Sequence, residues 1–279
     1  MDIKQVEHYL KQTSFTNPFE YSFMYEGIPD NIGDICNLVN RQLIHPAKLH
    51  EYPEVKPNEN EIWNNEPKTV QEMLKRLYEK NNEGIIYNKA PKDRVVVTCR
   101  GITLLLTSIL RYKGIPARAR AGFVPYITNN GLNIDHWICE CWDKTQNKWI
   151  LLDADFLMID FAKTEFYYSA NVYLDAIENR INPLNYGWDE CWGMCYIISY
   201  INIDLLNVIY EEPWYNPRTS LTESLNWEQE SSFLSATKNL SNKNVDLVRE
   251  LAELLIDPDL NYKALKELLT ENEQLMPIK

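Results

Sequence analysis

The stretch Val95-Val96-Val97-Thr98-Cys99-Arg100-Gly101-Ile102-Thr103-Leu104-Leu105-Leu106 constrains this chain more than any other. β-Branched residues run into Thr98, and an apolar helical pattern begins directly after it. Ile102, Leu105, Leu106 and Ile109 fall at i, i+3, i+4 and i+7, and Leu104 and Leu110 widen the stripe, which predicts a buried helix. Gly114 suits the residue just past the helix end, and Pro116 follows where a helix could not continue. Thr98 is placed as the N-cap, so Cys99 falls in the first turn. Unpaired backbone N–H groups and the positive end of the helix dipole favour an anion there. A thiol so placed can drop below its free pKa of roughly 8.5 and become a nucleophilic thiolate.

Composition narrows the classes of function. The chain has 279 residues, enough for one large domain or two small ones, and a net charge of −12. That charge argues against nucleic acid and against anionic membrane as partners, and no basic run of the kind that grips phosphate occurs. The local basic group of Arg94, Arg100, Arg111, Lys113, Arg118 and Arg120 is expected to cap or flank the helix and the strand after it. The first eight residues lack the apolar core of a signal peptide, and no stretch approaches the ~18 apolar residues of a membrane span. A cytoplasmic location is therefore expected, with the six cysteines (36, 99, 139, 141, 191 and 195) held as reduced thiols.

In chain order, residues 2–12 read as a short amphipathic helix. A second helix runs from Pro29 towards Leu43, and residues 50–66 read as an exposed connection carrying Pro53 and Pro57. Val70, Met73, Leu74 and Leu77 form the apolar face of a third helix. Beyond Gly114, residues 117–126 read as a strand with one polar and one apolar face, and Asn129-Asn130-Gly131 as a turn. Two more strands are expected at 136–142 and 148–153, then helices at 172–180, 195–210, 245–256 and near 262–270. Residues 213–226 read as a loop. The division expected is a domain over 1–219, with its core at about 66–160 and an N-terminal wrap over 1–65, followed by a helical extension over 220–279.

A cysteine nucleophile needs a base and a group that orients the base. Of the four histidines, His136 opens a strand after a tight turn and is best placed to be held rigidly near Cys99. If a loop at 143–146 pairs Trp142 with Asn147, Asp153 stands directly across from His136 on one face. Asp155 is the fallback, and Asp135 should point the other way. Taken singly, each residue has a structural reading: Cys99 as a small buried thiol, His136 as a hydrogen-bonded strand residue, Asp153 as a strand end. Cys139-x-Cys141 and Cys191-x3-Cys195 lack the paired Cys-x2-Cys spacing of structural zinc, so no metal site is assigned. Tyr186, Trp188, Trp192 and Tyr196 line a groove or pack in the core, with packing the default. Arg118 and Arg120 alternate along one strand and are expected to hold local carboxylates.

The ordered set Cys99-Arg100, Gly114-Ile115-Pro116-Ala117-Arg118, Gly122-Phe123, Asp135-His136-Trp137 and Trp149-Ile150-Leu151-Leu152-Asp153 resembles the transglutaminase-like superfamily over about residues 95–155. More loosely, Gly27-Ile28-Pro29-Asp30, Leu43-Ile44-His45, Asn182-Pro183 and Glu212-Pro213-Trp214 resemble a little-characterised bacterial branch of it. The resemblance implies a papain-like α+β fold with Cys99 as nucleophile, His136 as base and Asp153 as orienter. It also implies acyl transfer from a peptide, protein or small amide substrate, by hydrolysis (amidase, deamidase or peptidase) or transamidation, without a cofactor. No calcium-loop pattern of alternating carboxylates accompanies it. Of the oxyanion donors, the Cys99 backbone N–H alone is assignable. Two other readings stay open: a non-catalytic binding module on the same fold, and a biosynthetic acyltransferase that forms an amide.

Overall fold

A computed structural model describes residues 6–57, 66–209, 211–215, 217–227 and 233–278. The chain divides into two compact units, one of residues 1–119 and 137–161 and the other of residues 120–136 and 162–279. The fold class is α+β, as the sequence predicts.

The first unit opens with a short 3-10 turn at Glu7–Leu10 where an amphipathic helix is predicted; residues 2–5 of that prediction lie outside the described residues. Helix α1 (Ile32–Asn40) starts at Asn31, whose side chain accepts the Asp34 N–H, and buries Ile35, Cys36, Leu38 and Val39. The helical pattern reaches Leu43, yet Leu43–Ile44 forms strand β1, parallel to β2 (Val95–Val96). Buried Gln42 ends the helix there: its amide donates to the carbonyls of Leu38 and Ile86, each at 2.8 Å. Between β1 and β2, helix α2 (Val70–Lys80) buries the four apolar residues its spacing predicts. Of the connection expected over 50–66, residues 58–65 lie outside the described residues.

Helix α3 (Cys99–Tyr112) packs against α1 and α2, and its residues 99 to 111 are all buried. It ends as a Schellman motif at Gly114, which takes φ +71°. The Gly114 N–H donates to the Arg111 carbonyl and the Ile115 N–H to the Leu110 carbonyl. Strand β3 (Ala117–Val124) follows, then β4 (Asn133–Asp143), β5 (Lys148–Asp153) and β6 (Met158–Ile159). In the first unit these lie in the order β6-β5-β4-β3.

The polar face of β3, with Arg118 and Arg120, is as buried as its apolar one: all eight residues of the strand are buried. Arg118 fits inside by pairing with Glu140 at 2.7 Å and donating to the Tyr9 hydroxyl, with its guanidinium 4.2 Å from the Trp149 ring centroid. The β4–β5 hairpin turns over residues 144–147 rather than 143–146. The Asp143 carboxylate accepts the N–H groups of Thr145 and Gln146, so the ladder continues to Asp143 opposite Lys148. Asn147 closes the turn at φ +51°.

Strands β3 and β4 continue along the chain into the second unit. There β7 (Tyr167–Tyr168) pairs with β3, opposing Tyr168 to Gly122. A Cβ on Gly122 would stand 2.5 Å from the Tyr167 carbonyl, so this approach requires glycine. Helix α4 (Ser169–Ile177) comes next, then β8 (Tyr186–Trp188), parallel to the start of β4, and β9 (Cys191–Trp192) beside β8. Helix α5 (Met194–Ile209) is the core of this unit and packs against α4 and α8 (Asn242–Leu255). The expected loop over 213–226 contains α6 (Ser220–Glu223), closed by a capping box between Thr219 and Thr222. Short α7 (Phe233–Ala236) precedes α8, and α9 (Tyr262–Glu271) packs against both α5 and α8. Among the described residues, no helix is long and apolar enough to cross a membrane.

Candidate active site

Cys99 is the first residue of α3 and is 7% exposed. Thr98 occupies the N-cap as predicted, but its hydroxyl does not cap the helix. Its Oγ1 and its backbone N–H both donate to Glu66 Oε1, each at 2.8 Å. Glu66 is buried, and desolvation raises its carboxyl above the ordinary value. The Thr98 hydrogen bonds and the charges of Arg100 and His45 act the other way.

The residue after Cys99 is tied as firmly. Arg100 is fully buried; its Nη1 donates to the Lys68 carbonyl at 3.0 Å, and its guanidinium sits 5.3 Å from the Phe15 ring centroid and 5.7 Å from that of Trp137. One turn on, Thr103 Oγ1 donates to the Trp137 carbonyl at 3.0 Å, and a turn later Thr107 Oγ1 donates to Cys139 Sγ at 3.4 Å. Four helical residues advance about 6 Å and two strand residues about 6.6 Å, so threonines spaced by four meet strand residues spaced by two. Helix α3 is thereby pinned along β4 at two levels.

Asp153 ends β5 and is 2% exposed; its Oδ1 accepts the N–H groups of Asp155 at 2.9 Å and Phe156 at 3.2 Å. The hairpin register corrects one expectation. Cys139 opposes Leu152, so one step further the ladder sets Ile138, not His136, across from Asp153. His136 precedes Ile138 by two residues and shares its strand face. The fallback Asp155 has its carboxylate in an ion pair with Lys48 at 2.6 Å.

His136 itself belongs to the second unit, immediately before Trp137, whereas Cys99 and Asp153 belong to the first. It is 2% exposed, and the Tyr126 ring meets its imidazole edge-on at 6.1 Å. Asp135 accepts a hydrogen bond from the Tyr200 hydroxyl. Tyr200 stacks with Phe123 and Tyr196, so Tyr196 serves packing, as does buried Tyr186 against Phe123. Trp188 is exposed, and the Trp192 indole donates to the Asp189 carbonyl.

Four of the other five thiols are poorly suited to act as nucleophiles. Burial raises Cys36 and Cys141 well above the ordinary thiol range, lifts Cys191 and pushes Cys195 up to about 11. Arg118 and Arg120 hold Glu140 and Asp204, as expected of them. Glu66 and Thr103 were not singled out from sequence. Glu66 ends a polar connection and looks solvated; Thr103 and Thr107, four apart in an apolar helix, were the available signal.

Residues 59–154 match the model of the transglutaminase-like superfamily. A solved structure entitled "Putative Cysteine Protease from Cytophaga hutchinsonii" aligns over 60% of this chain and 46% of its own, at 13% identity and a TM-score of 0.36. The chain thus spans less than half the length of that protein. No curated protein matches the chain.

Proposed function

We propose that the protein is a cysteine-dependent acyl-transfer enzyme acting on an amide or peptide bond. Cys99 is the nucleophile, His136 the base and Asp153 the orienter. The imidazole takes the thiol proton as sulfur attacks the carbonyl carbon, then delivers it to the departing nitrogen as the C–N bond breaks. The product of that half-reaction is a thioester on Cys99, which water resolves by hydrolysis or an amine by transamidation. Asp153 holds the imidazole in the tautomer that can receive the proton.

The observation that carries this reading is the Thr103–Trp137 hydrogen bond. It fastens the helix that Cys99 begins to the residue next to His136, and one peptide unit spans only about 3.8 Å. The Arg100–Trp137 ring contact repeats that fastening from the residue after Cys99. The shared face of His136 and Ile138 supports Asp153 as orienter, since diagonal positions on paired strands lie about 7–8 Å apart. The match of residues 59–154 to the transglutaminase-like superfamily supports the class of reaction.

Iodoacetamide labelling near neutral pH, resolved by mass spectrometry, tests the reading. Cys99 should alkylate faster than the other five thiols, and His136→Ala should remove that advantage. Labelling of Cys99 at the pace of the others would instead mark a binding module without a thiolate nucleophile.

A further inference from the structure

The two chain neighbours of Cys99 are held by a single short segment. Thr98, before it, gives its N–H and its hydroxyl to one oxygen of Glu66. Arg100, after it, gives Nη1 to the carbonyl of Lys68. Between the two acceptors stands buried Pro67, whose ring fixes φ. The far end of the segment is also anchored: the Lys68 N–H donates to the Glu72 carboxylate at 2.7 Å, and the Thr69 side chain caps α2 by accepting the Glu72 N–H.

We propose that Glu66-Pro67-Lys68 is a strap that positions the nucleophile, Glu66 acting through Thr98 and the Lys68 carbonyl acting through Arg100. This inference rests on Cys99 being the nucleophile. One acceptor oxygen taking two bonds from the N-cap residue holds Thr98 extended, at φ −76° and ψ 178°, so the helix begins at Cys99. The strap also turns the Thr98 hydroxyl away from the first turn of α3, where an N-cap side chain ordinarily accepts an N–H. Those N–H groups point towards the end at which a thiolate or an oxyanion develops. Gly101 fits the arrangement, because a Cβ there would lie 3.3 Å from Glu66 Oε1 and 2.7 Å from Val97 Cβ. Glu66 and Lys68 are positioning groups; neither is assigned contact with substrate.

The test is the pH profile of Cys99 alkylation by iodoacetamide in the full chain, with folding verified by circular dichroism. Glu66→Gln keeps an acceptor oxygen and should stay within about threefold of wild type, whereas Glu66→Ala should slow Cys99 about tenfold and move its pH midpoint, the scale of one lost hydrogen bond to a charged group. If Glu66→Ala does not fold, Thr98→Val, which removes only the hydroxyl bond, should slow Cys99 by about threefold or more. A Cys99 that is fast in wild type and equally fast in Glu66→Ala, or in Thr98→Val where that variant stands in, overturns the strap alone. Glu66→Gln as damaging as Glu66→Ala overturns it too. A wild-type Cys99 no faster than the other thiols overturns both the strap and the proposed function.

Discussion

Helices α3 and α5 are each the buried centre of one unit, and they are held in different ways. Along α3, polar side chains reach residues distant in sequence: Arg100 to Lys68, Thr103 to Trp137, Thr107 to Cys139, and Ser108 to the Tyr25 hydroxyl at 2.7 Å. Arg111 donates to the Ala117 carbonyl and to Thr16. Along α5, Cys195 Sγ donates to the Asn226 carbonyl and the Tyr200 hydroxyl to Asp135, and Asp204 binds Arg120 through both oxygens and also accepts the Ala121 N–H. Ser199 turns back to its own helix, and the Asn202 and Asn207 amides have no hydrogen-bond partner among the described residues. Apolar burial puts a helix inside, but directional bonds decide whether it can slide or rotate there. The helix that Cys99 begins carries such bonds from Arg100 through to Arg111.

The largest expected effect tests how far α5 depends on its single ionic anchor. Asp204→Leu takes the carboxylate away from the buried Arg120 guanidinium, and should cost about 3–5 kcal/mol of unfolding free energy in urea titrations. A loss below 1 kcal/mol would show that packing alone holds α5. Thr103→Val is the matching change in α3. It strips the Trp137 carbonyl of a donor at nearly constant volume and should cost about 1–3 kcal/mol. It should also slow Cys99 alkylation, which Asp204→Leu should leave unchanged in the folded fraction.

A pH-dependent effect sharpens the contrast at the start of α3. Burial raises the Glu66 carboxyl above its ordinary 4.5. The folded chain therefore keeps that proton to higher pH than the unfolded chain, and wild-type stability falls as pH rises through the window above 4.5. Glu66→Gln has no such proton. Its stability relative to wild type should climb across the same window and then level off, as urea midpoints between about pH 4 and pH 8 would show. A flat difference would mean that Glu66 titrates alike in both states. The smallest effect returns to α5. Asn202→Leu replaces a buried amide lacking a partner with an apolar side chain of similar size, and should be neutral or stabilising by about 1 kcal/mol. Marked destabilisation would reveal a bond to the Asn202 amide.

Legibility followed the reach of each interaction. The apolar faces of α2, α3 and α8, the stop at Gly114 and the pair of strands after it could be read from spacing, because periodicity is a property of neighbouring residues. That Arg118 and Arg120 would hold carboxylates was also readable from their alternation. The helix boundary at Gln42 was not, since it depends on a hydrogen bond from the Gln42 amide to the Ile86 carbonyl, 44 residues away. The hairpin register escaped because one side chain, Asp143, extended the ladder by a residue through two turn N–H groups. Glu66 escaped because a carboxylate in a polar stretch gives no sign that it will be buried.

The order of residues by itself determined that a cysteine opens a largely buried helix and that a histidine and an aspartate follow on neighbouring strands. It also gives residues 59–154 their match to the transglutaminase-like superfamily. Tertiary structure decided which partners complete the setting. It directed the Thr98 hydroxyl to Glu66, 32 residues distant, tied Arg100 to Lys68, and set Ile138 rather than His136 across from Asp153. The reason is physical: the 3.6- and 2-residue periods act locally, whereas a buried donor takes whichever acceptor the folded chain brings within about 3 Å.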